Sequence, residues 1–221
     1  MKLHIYLFRH GQTYFNRDKR FTGWKDSKLT PQGIKDAKKV ANKLKNKKFQ
    51  AAYHTRLSRS KNTLKYVLKY HPECKELIED DRMIERSYGK LQGKSHEEFV
   101  KEEGTDTYKT LLQWHKIDHL KGREKQEFIQ RTGEAELKII RRSYNVAPPG
   151  GESVKMVQKR VNSFIKDLLK KMKKEKVNVA ISAHGNSMRP FRKYFEKLTV
   201  KQMMELENPW DDYFEYVVEV K

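Results

Sequence analysis

The chain has 221 residues, with 49 lysines and arginines against 29 aspartates and glutamates, and a formal net charge of +20. That length points to one domain, residues 1–221, rather than a string of modules; 36% hydrophobic residues suffice for a core and exclude disorder throughout. Cys74 is the only cysteine, which excludes an intrachain disulfide and a cysteine-only metal cluster.

In chain order, the apolar run Leu3–Phe8 reads as a first strand and leads straight into Arg9-His10-Gly11. It is too short for a signal sequence, and no stretch is long and apolar enough to span a membrane, so a cytoplasmic protein without a membrane partner is expected. Thr30 and Pro31 then open a helix whose inner face is Ile34, Ala37, Val40, Ala41 and Leu44. Phe49–Tyr53 is the second strand. Residues 95–142 are polar and helix-like, with Gly104, Gly122 and Gly133 as punctuation, and are expected to form a cap insertion over one end of the sheet. Pro148-Pro149-Gly150-Gly151 is the sharpest turn signal. After Glu152 comes a long helix with the stripe Val154, Val157, Val161, Phe164, Ile165, Leu168 and Met172, which is read as core. Lysine runs at 45–48 and 170–176 fall at the ends of the two helices, where cations favour the dipole. Val177–Ala183 is a third strand, opening into His184-Gly185-Asn186-Ser187, and Tyr213–Val220 a last one. The alternation predicts an α/β fold with three layers, α/β/α, around a mostly parallel sheet.

Two His-Gly pairs therefore leave two strands at the C-terminal edge, where open α/β sheets place ligands. If the strands are neighbours, the imidazoles of His10 and His184 meet. An arginine beside them suits phosphate, because a guanidinium offers planar, bidentate donors. The chemistry this suggests is phosphoryl transfer to a neutral imidazole, with fixed positive groups stabilising the equatorial oxygens. A metal site is the rival reading of paired histidines. It is disfavoured because no carboxylate or cysteine stands beside either one at ligand spacing, and the adjacent arginine would repel a cation.

The stretches LFRHGQTYFNRDKRFTGWKDSKLTPQGIKDA, YHTRLSRSKNTL, ERSYGKLQGK and AHGNSMRPFRKY occur in an order that closely resembles the cofactor-dependent phosphoglycerate mutases of the histidine phosphatase superfamily. The resemblance covers residues 3–104 and 141–207. It implies that His10 becomes phosphorylated, that Arg9, Arg59 and His184 complete the phosphate pocket, and that Glu85 is the general acid/base. A carboxyl kept protonated by a partly apolar pocket could deliver the proton a departing oxygen needs. The resemblance further implies substrate or phosphate contacts from Asn16, Thr22, Gly23, Tyr88, Gly185 and Asn186. Arg141 and Arg142 resemble the paired arginines holding the far anionic end of the substrate, with Trp114-His115-Lys116 a weaker match. Where the mutases carry a lysine this chain has His96, with Lys94 close by.

The activity so implied is interconversion of 3-phosphoglycerate and 2-phosphoglycerate, primed by 2,3-bisphosphoglycerate and needing no metal. A phosphatase acting on small phosphate esters is the alternative, favoured by the remodelled cap and by a chain that ends at Lys221 without the tail many of these mutases close over the site. The partner expected is a small anionic phosphorylated substrate. Nucleic acid is not expected, because the basic residues are spread along the chain without a recognised binding module.

Overall fold

The structure, a computed structural model, describes residues 1–220. In chain order its elements are β1 (Lys2–Arg9), α1 (Tyr14–Arg17), α2 (Pro31–Leu44), β2 (Ala51–His54), α3 (Ser58–Leu68), β3 (Glu76–Glu79), α4 (His96–Gln113), α5 (Gly122–Arg142), α6 (Val154–Glu175), β4 (Val179–Ala183), α7 (Gly185–Glu196), α8 (Val200–Glu205) and β5 (Tyr213–Glu219). Short 3₁₀ turns at Asp81–Met83 and Gly89–Leu91 lie between β3 and α4. Among the described residues no helix is long and apolar enough to cross a membrane.

The strands form one sheet in the order β3-β2-β4-β1-β5. The first four run parallel, and β5 pairs antiparallel with β1, Phe8 opposite Tyr213. Successive side chains of a strand point to opposite faces, and the sequence of β1 exploits this. Leu3, Ile5 and Leu7 pack with the α6 stripe and with Met188 and Phe191 of α7, whereas Tyr6 and Phe8 pack with Val40 and Leu44 of α2 and with Leu64 and Val67 of α3. Helices thus cover both faces, giving the three-layer α/β/α architecture. Thr30 caps α2 by accepting the Gly33 N–H at 3.0 Å, with Pro31 as first residue. Ser153 does the same for α6 with Met156 at 3.2 Å.

Three readings need correction. Strand β3 was not anticipated, because Glu-Leu-Ile-Glu at a sheet edge buries little and leaves Leu77 exposed, so it lacks an apolar run. Residues 96–142 do form a helical cap, but it is a hairpin of two long helices, and Gly104 and Gly133 do not punctuate it. They lie inside α4 and α5 where the backbones touch: a Cβ at Gly104 would come 2.0 Å from the Ile129 carbonyl oxygen, and one at Gly133 would come 1.9 Å from that of Val100. Only Gly122, with φ 51°, begins a helix. The hairpin is anchored to the body by a small cluster of Phe21, Tyr88, Leu91, Phe99 and Ile140.

Candidate active site

Strands β1 and β4 are neighbours, with Arg9 opposite Ala183. Their outgoing connections run to opposite sides of the sheet, so the two chains diverge at the C-terminal edge and leave a crevice there. His10 and His184 stand in it with ring centroids 4.9 Å apart, both fully buried. The His10 backbone still donates to Ala183 O at 3.1 Å, and Gly11 N–H donates to Thr63 Oγ1 at 3.1 Å. The turn after His10 has to be glycine because α2 presses on it: a Cβ at Gly11 would lie 2.0 Å from the Gly33 carbonyl oxygen.

His10 Nδ1 lies 2.8 Å from the Gly11 carbonyl. A carbonyl only accepts, so Nδ1 carries the ring proton and Nε2 is left with its lone pair. Burial, then the charges of Arg59 and Arg9, hold the imidazole well below its ordinary value, so it is neutral at physiological pH. His184 is lowered likewise, by burial first and then by Arg59 and His10. Its Nε2 lies 2.8 Å from Thr55 Oγ1 at the end of β2. When that hydroxyl donates, the His184 proton sits on Nδ1.

The guanidinium of Arg59, completely buried on α3, is fixed by the carbonyls of Gly23 (2.7 Å) and Lys25 (3.1 Å). Arg9 donates to Asn208 O at 3.1 Å and lies over the Trp210 ring. Burial lowers both guanidiniums, Arg59 to about 10, which leaves them cationic at neutral pH. Among the described residues five buried side-chain nitrogens lack a partner, and four of them, Arg9 Nε, Arg59 Nε, His184 Nδ1 and Trp210 Nε1, belong to this site. Buried donors are ordinarily satisfied, so a cluster of free ones suits an anion. α7 starts at Gly185, directly beyond His184, and adds the positive end of its dipole.

Glu85 is buried and reaches the same point. Its Oε1 accepts the N–H groups of Arg86 (2.8 Å) and Asn186 (3.1 Å), so Oε2 is the oxygen left for proton exchange. Its own carbonyl accepts from Trp24 Nε1 at 2.7 Å and Arg160 at 3.1 Å, and Arg160 is in turn clamped by Glu152 at 2.9 Å. One ligand atom each from His10, Glu85 and His184 lies within 4.8 Å of the others. A carboxylate therefore does join the two histidines, brought in from a distant segment and not from ligand spacing beside either one. The set still suits a cation poorly, because Arg9 and Arg59 bring two fixed positive charges to the same spot.

The crevice opens into a cavity of about 780 Å³ between the sheet edge and the helical hairpin. Arg9, His10, Asn16, Thr22, Gly23, Arg59, Glu85, Tyr88, His96, Arg141 and Asn186 line it. Gly185 lies behind them, its carbonyl accepting from Asn208 Nδ2 at 3.0 Å. Two expected residues are not brought in. Lys94 is paired with Glu102, and Arg142 is not among the lining residues but lies 3.5 Å from Glu207 at the cavity's rim. Consecutive helix residues point about 100° apart, and of the pair in the last turn of α5 only Arg141 lines the cavity. His115 is at the exposed hairpin tip, paired with Asp118 at 2.8 Å. Sequence reasoning missed Thr55, Asn208 and Trp210. The signal for the last two was the direction of β5: an antiparallel strand begins at the edge where β1 and β4 end.

Acidification tests the buried histidines. The unfolded chain takes up protons on His10 and His184 below about pH 6.5, while the folded chain does not, so the unfolded state binds more protons there. Stability is full above that pH and falls below it, by at most about 1.4 kcal/mol per histidine per pH unit. Urea midpoints at about pH 7 and pH 5.5 are expected to drop accordingly; a midpoint that rises on acidification would show these rings charged in the native state.

Comparisons with known proteins identify the family. The family model of the histidine phosphatase superfamily (branch 1) matches residues 5–141 and 116–211. The chain is 31% identical over 206 residues to a 2,3-bisphosphoglycerate-dependent phosphoglycerate mutase of Pseudoalteromonas atlantica, covering 91% of this chain and 87% of that one. It is 34% identical over 206 residues to the protein of the same name from Parvibaculum lavamentivorans, covering 91% and 84%. Among solved structures, YhfR of Bacillus stearothermophilus superposes with a TM-score of 0.73 at 21% identity, over 99% of this chain and 92% of that one, a likeness of fold. With two buried histidines and two buried arginines converging at the sheet edge, and the family model matching most of its length, this chain belongs to the histidine phosphatase superfamily.

Proposed function

We propose that the protein is a phosphoglycerate mutase that interconverts 3-phosphoglycerate and 2-phosphoglycerate through a phosphohistidine at His10. The observation carrying this reading is the His10 tautomer: a neutral ring whose Nδ1 proton is committed to Gly11 O, with Nε2 free beside two guanidiniums and a carboxyl group. The names of the relatives support the substrate.

2,3-bisphosphoglycerate, when bound, supplies the phosphoryl group that primes His10. The protein's own groups do the rest. In the forward step the substrate hydroxyl attacks phosphorus on Nε2, the P–N bond breaks, and Glu85 Oε2 takes the hydroxyl proton. In the return step Nε2 attacks the other phosphoryl group, the P–O bond breaks, and Glu85 returns its proton to the departing oxygen. Arg9, Arg59, His184 and the α7 N-terminus hold the equatorial oxygens throughout. Asn16, whose Oδ1 is occupied by Thr13 at 2.9 Å, keeps its amide hydrogens for the ligand.

The test is an assay of 3-phosphoglycerate with and without the bisphosphate primer, reading 2-phosphoglycerate and free phosphate together. Primer-dependent isomerisation that outpaces phosphate release is expected. Phosphate release from many esters without isomerisation would replace the mutase by a phosphatase.

A further inference from the structure

The far wall of the cavity carries a charge that the sequence motifs leave unassigned. Lys19 follows α1 in a left-handed conformation, φ 48°, rare for a residue with a side chain. Its carbonyl accepts the His96 N–H at 2.9 Å, and flanking bonds from Phe21 N to Lys94 O (3.0 Å) and Gly93 N to Phe21 O (2.8 Å) hold the two segments side by side. Lys19 and His96 therefore stand next to each other on the cavity wall, with Arg141 arriving from α5; all three line the cavity.

The neighbouring cations have partners within the protein, Arg20 among them although it too lines the cavity. Lys94 is paired with Glu102, Arg142 with Glu207, and Arg20 Nη1 donates to Gly93 O at 2.8 Å while lying 3.9 Å from Glu98. His96, stacked edge-on against Phe21 at 4.8 Å, is lowered to about 4 by burial, then by Arg141 and Lys19, so it is uncharged at neutral pH. Among the described residues Lys19 and Arg141 have no carboxylate within ion-pair distance. Glu97, Glu134 and Glu207 also line the cavity, and the ammonium of Lys19 offsets part of their charge toward an anion.

We propose that Lys19 is a specificity-determining residue: with Arg141 it binds the anionic group at the end of the substrate away from the transferred phosphoryl. The ligand class is a phosphoryl compound with a second anion, a carboxylate or another phosphate, a few bonds away. The choice of phosphoglycerate within that class rests on the mutase reading; the binding of an anionic tail does not. An ammonium on a flexible stem acts as a point charge and can follow that tail as the substrate reorients between its two phosphorylated forms.

The experiment is equilibrium binding of two phosphonates, 3-phosphonopropionate and 3-hydroxypropylphosphonate, to the wild type, Lys19→Met, Lys19→Arg and Arg141→Ala. The C–P bond is not transferred, so the result is independent of turnover. The wild type is expected to prefer the carboxylate tail by at least about tenfold, one charge-assisted contact's worth. Lys19→Met should lose most of that preference without weakening the hydroxyl-tailed ligand, and Lys19→Arg should retain it. An unchanged preference in Lys19→Met, an equal loss for both ligands, or no preference in the wild type would each overturn the proposal. A wild type that shows the preference but no primed isomerisation would instead refute the mutase reading alone.

Discussion

Replacing Glu85 by glutamine is expected to slow primed isomerisation by about 10²–10⁴-fold, the contribution of a positioned general acid/base. The amide oxygen can take the place of Oε1 and keep the N–H bonds from Arg86 and Asn186, so the pocket retains its shape. What is lost is the proton at Oε2. Transfer from 4-nitrophenyl phosphate to His10 should fall far less, because nitrophenolate leaves without protonation. Equal losses on both substrates would mean that Glu85 shapes the pocket; no loss on either would remove it from the chemistry.

The largest expected effect on stability lies one residue further on. Arg86 is fully buried, and its guanidinium donates to the carbonyls of Glu152 (2.6 Å), Ile140 (2.9 Å) and Val146 (3.0 Å) while lying over the Tyr88 ring. It thus ties the end of α5, the turn after it and the start of α6 to the segment that carries Glu85. Arg86→Met removes the donor from the buried Ile140 carbonyl and from the part-buried carbonyls of Glu152 and Val146, and is expected to cost about 3–5 kcal/mol in urea unfolding. A cost below about 1 kcal/mol would mean that water or a neighbouring donor replaces the guanidinium. Because the Ile140 carbonyl precedes Arg141, the variant should also weaken the carboxylate-tailed phosphonate at temperatures where it is still folded.

The parts of this architecture that could be read in the sequence are those with a local signature. The α6 stripe and the Thr30-Pro31 start of α2 are patterns of one helix, and both formed as expected. The strands β1 and β4, each running into a His-Gly pair, were visible as apolar runs, and their adjacency brought the imidazoles together. The hidden parts depend on register and direction. Thr55 matters because β2 is the other neighbour of β4, and Asn208 and Trp210 matter because β5 is antiparallel; neither fact is written in the local residue pattern. Arg142 and Lys94 suit the site by motif, but their side chains pair with Glu207 and Glu102. Gly104 and Gly133 looked like breaks because a helix-to-helix contact leaves no sign in the sequence of either helix alone.

In the proposed chemistry His10 Nε2 carries the phosphoryl group. The most direct measurement incubates the enzyme with labelled 2,3-bisphosphoglycerate, denatures it, and follows the protein-bound label in acid and in alkali. One label per chain is expected on His10, lost in acid and retained in alkali as a phosphoramidate should be, and absent from a folded His10→Ala variant. A label that persists in that variant, or one that is stable in acid and lost in alkali, would contradict it.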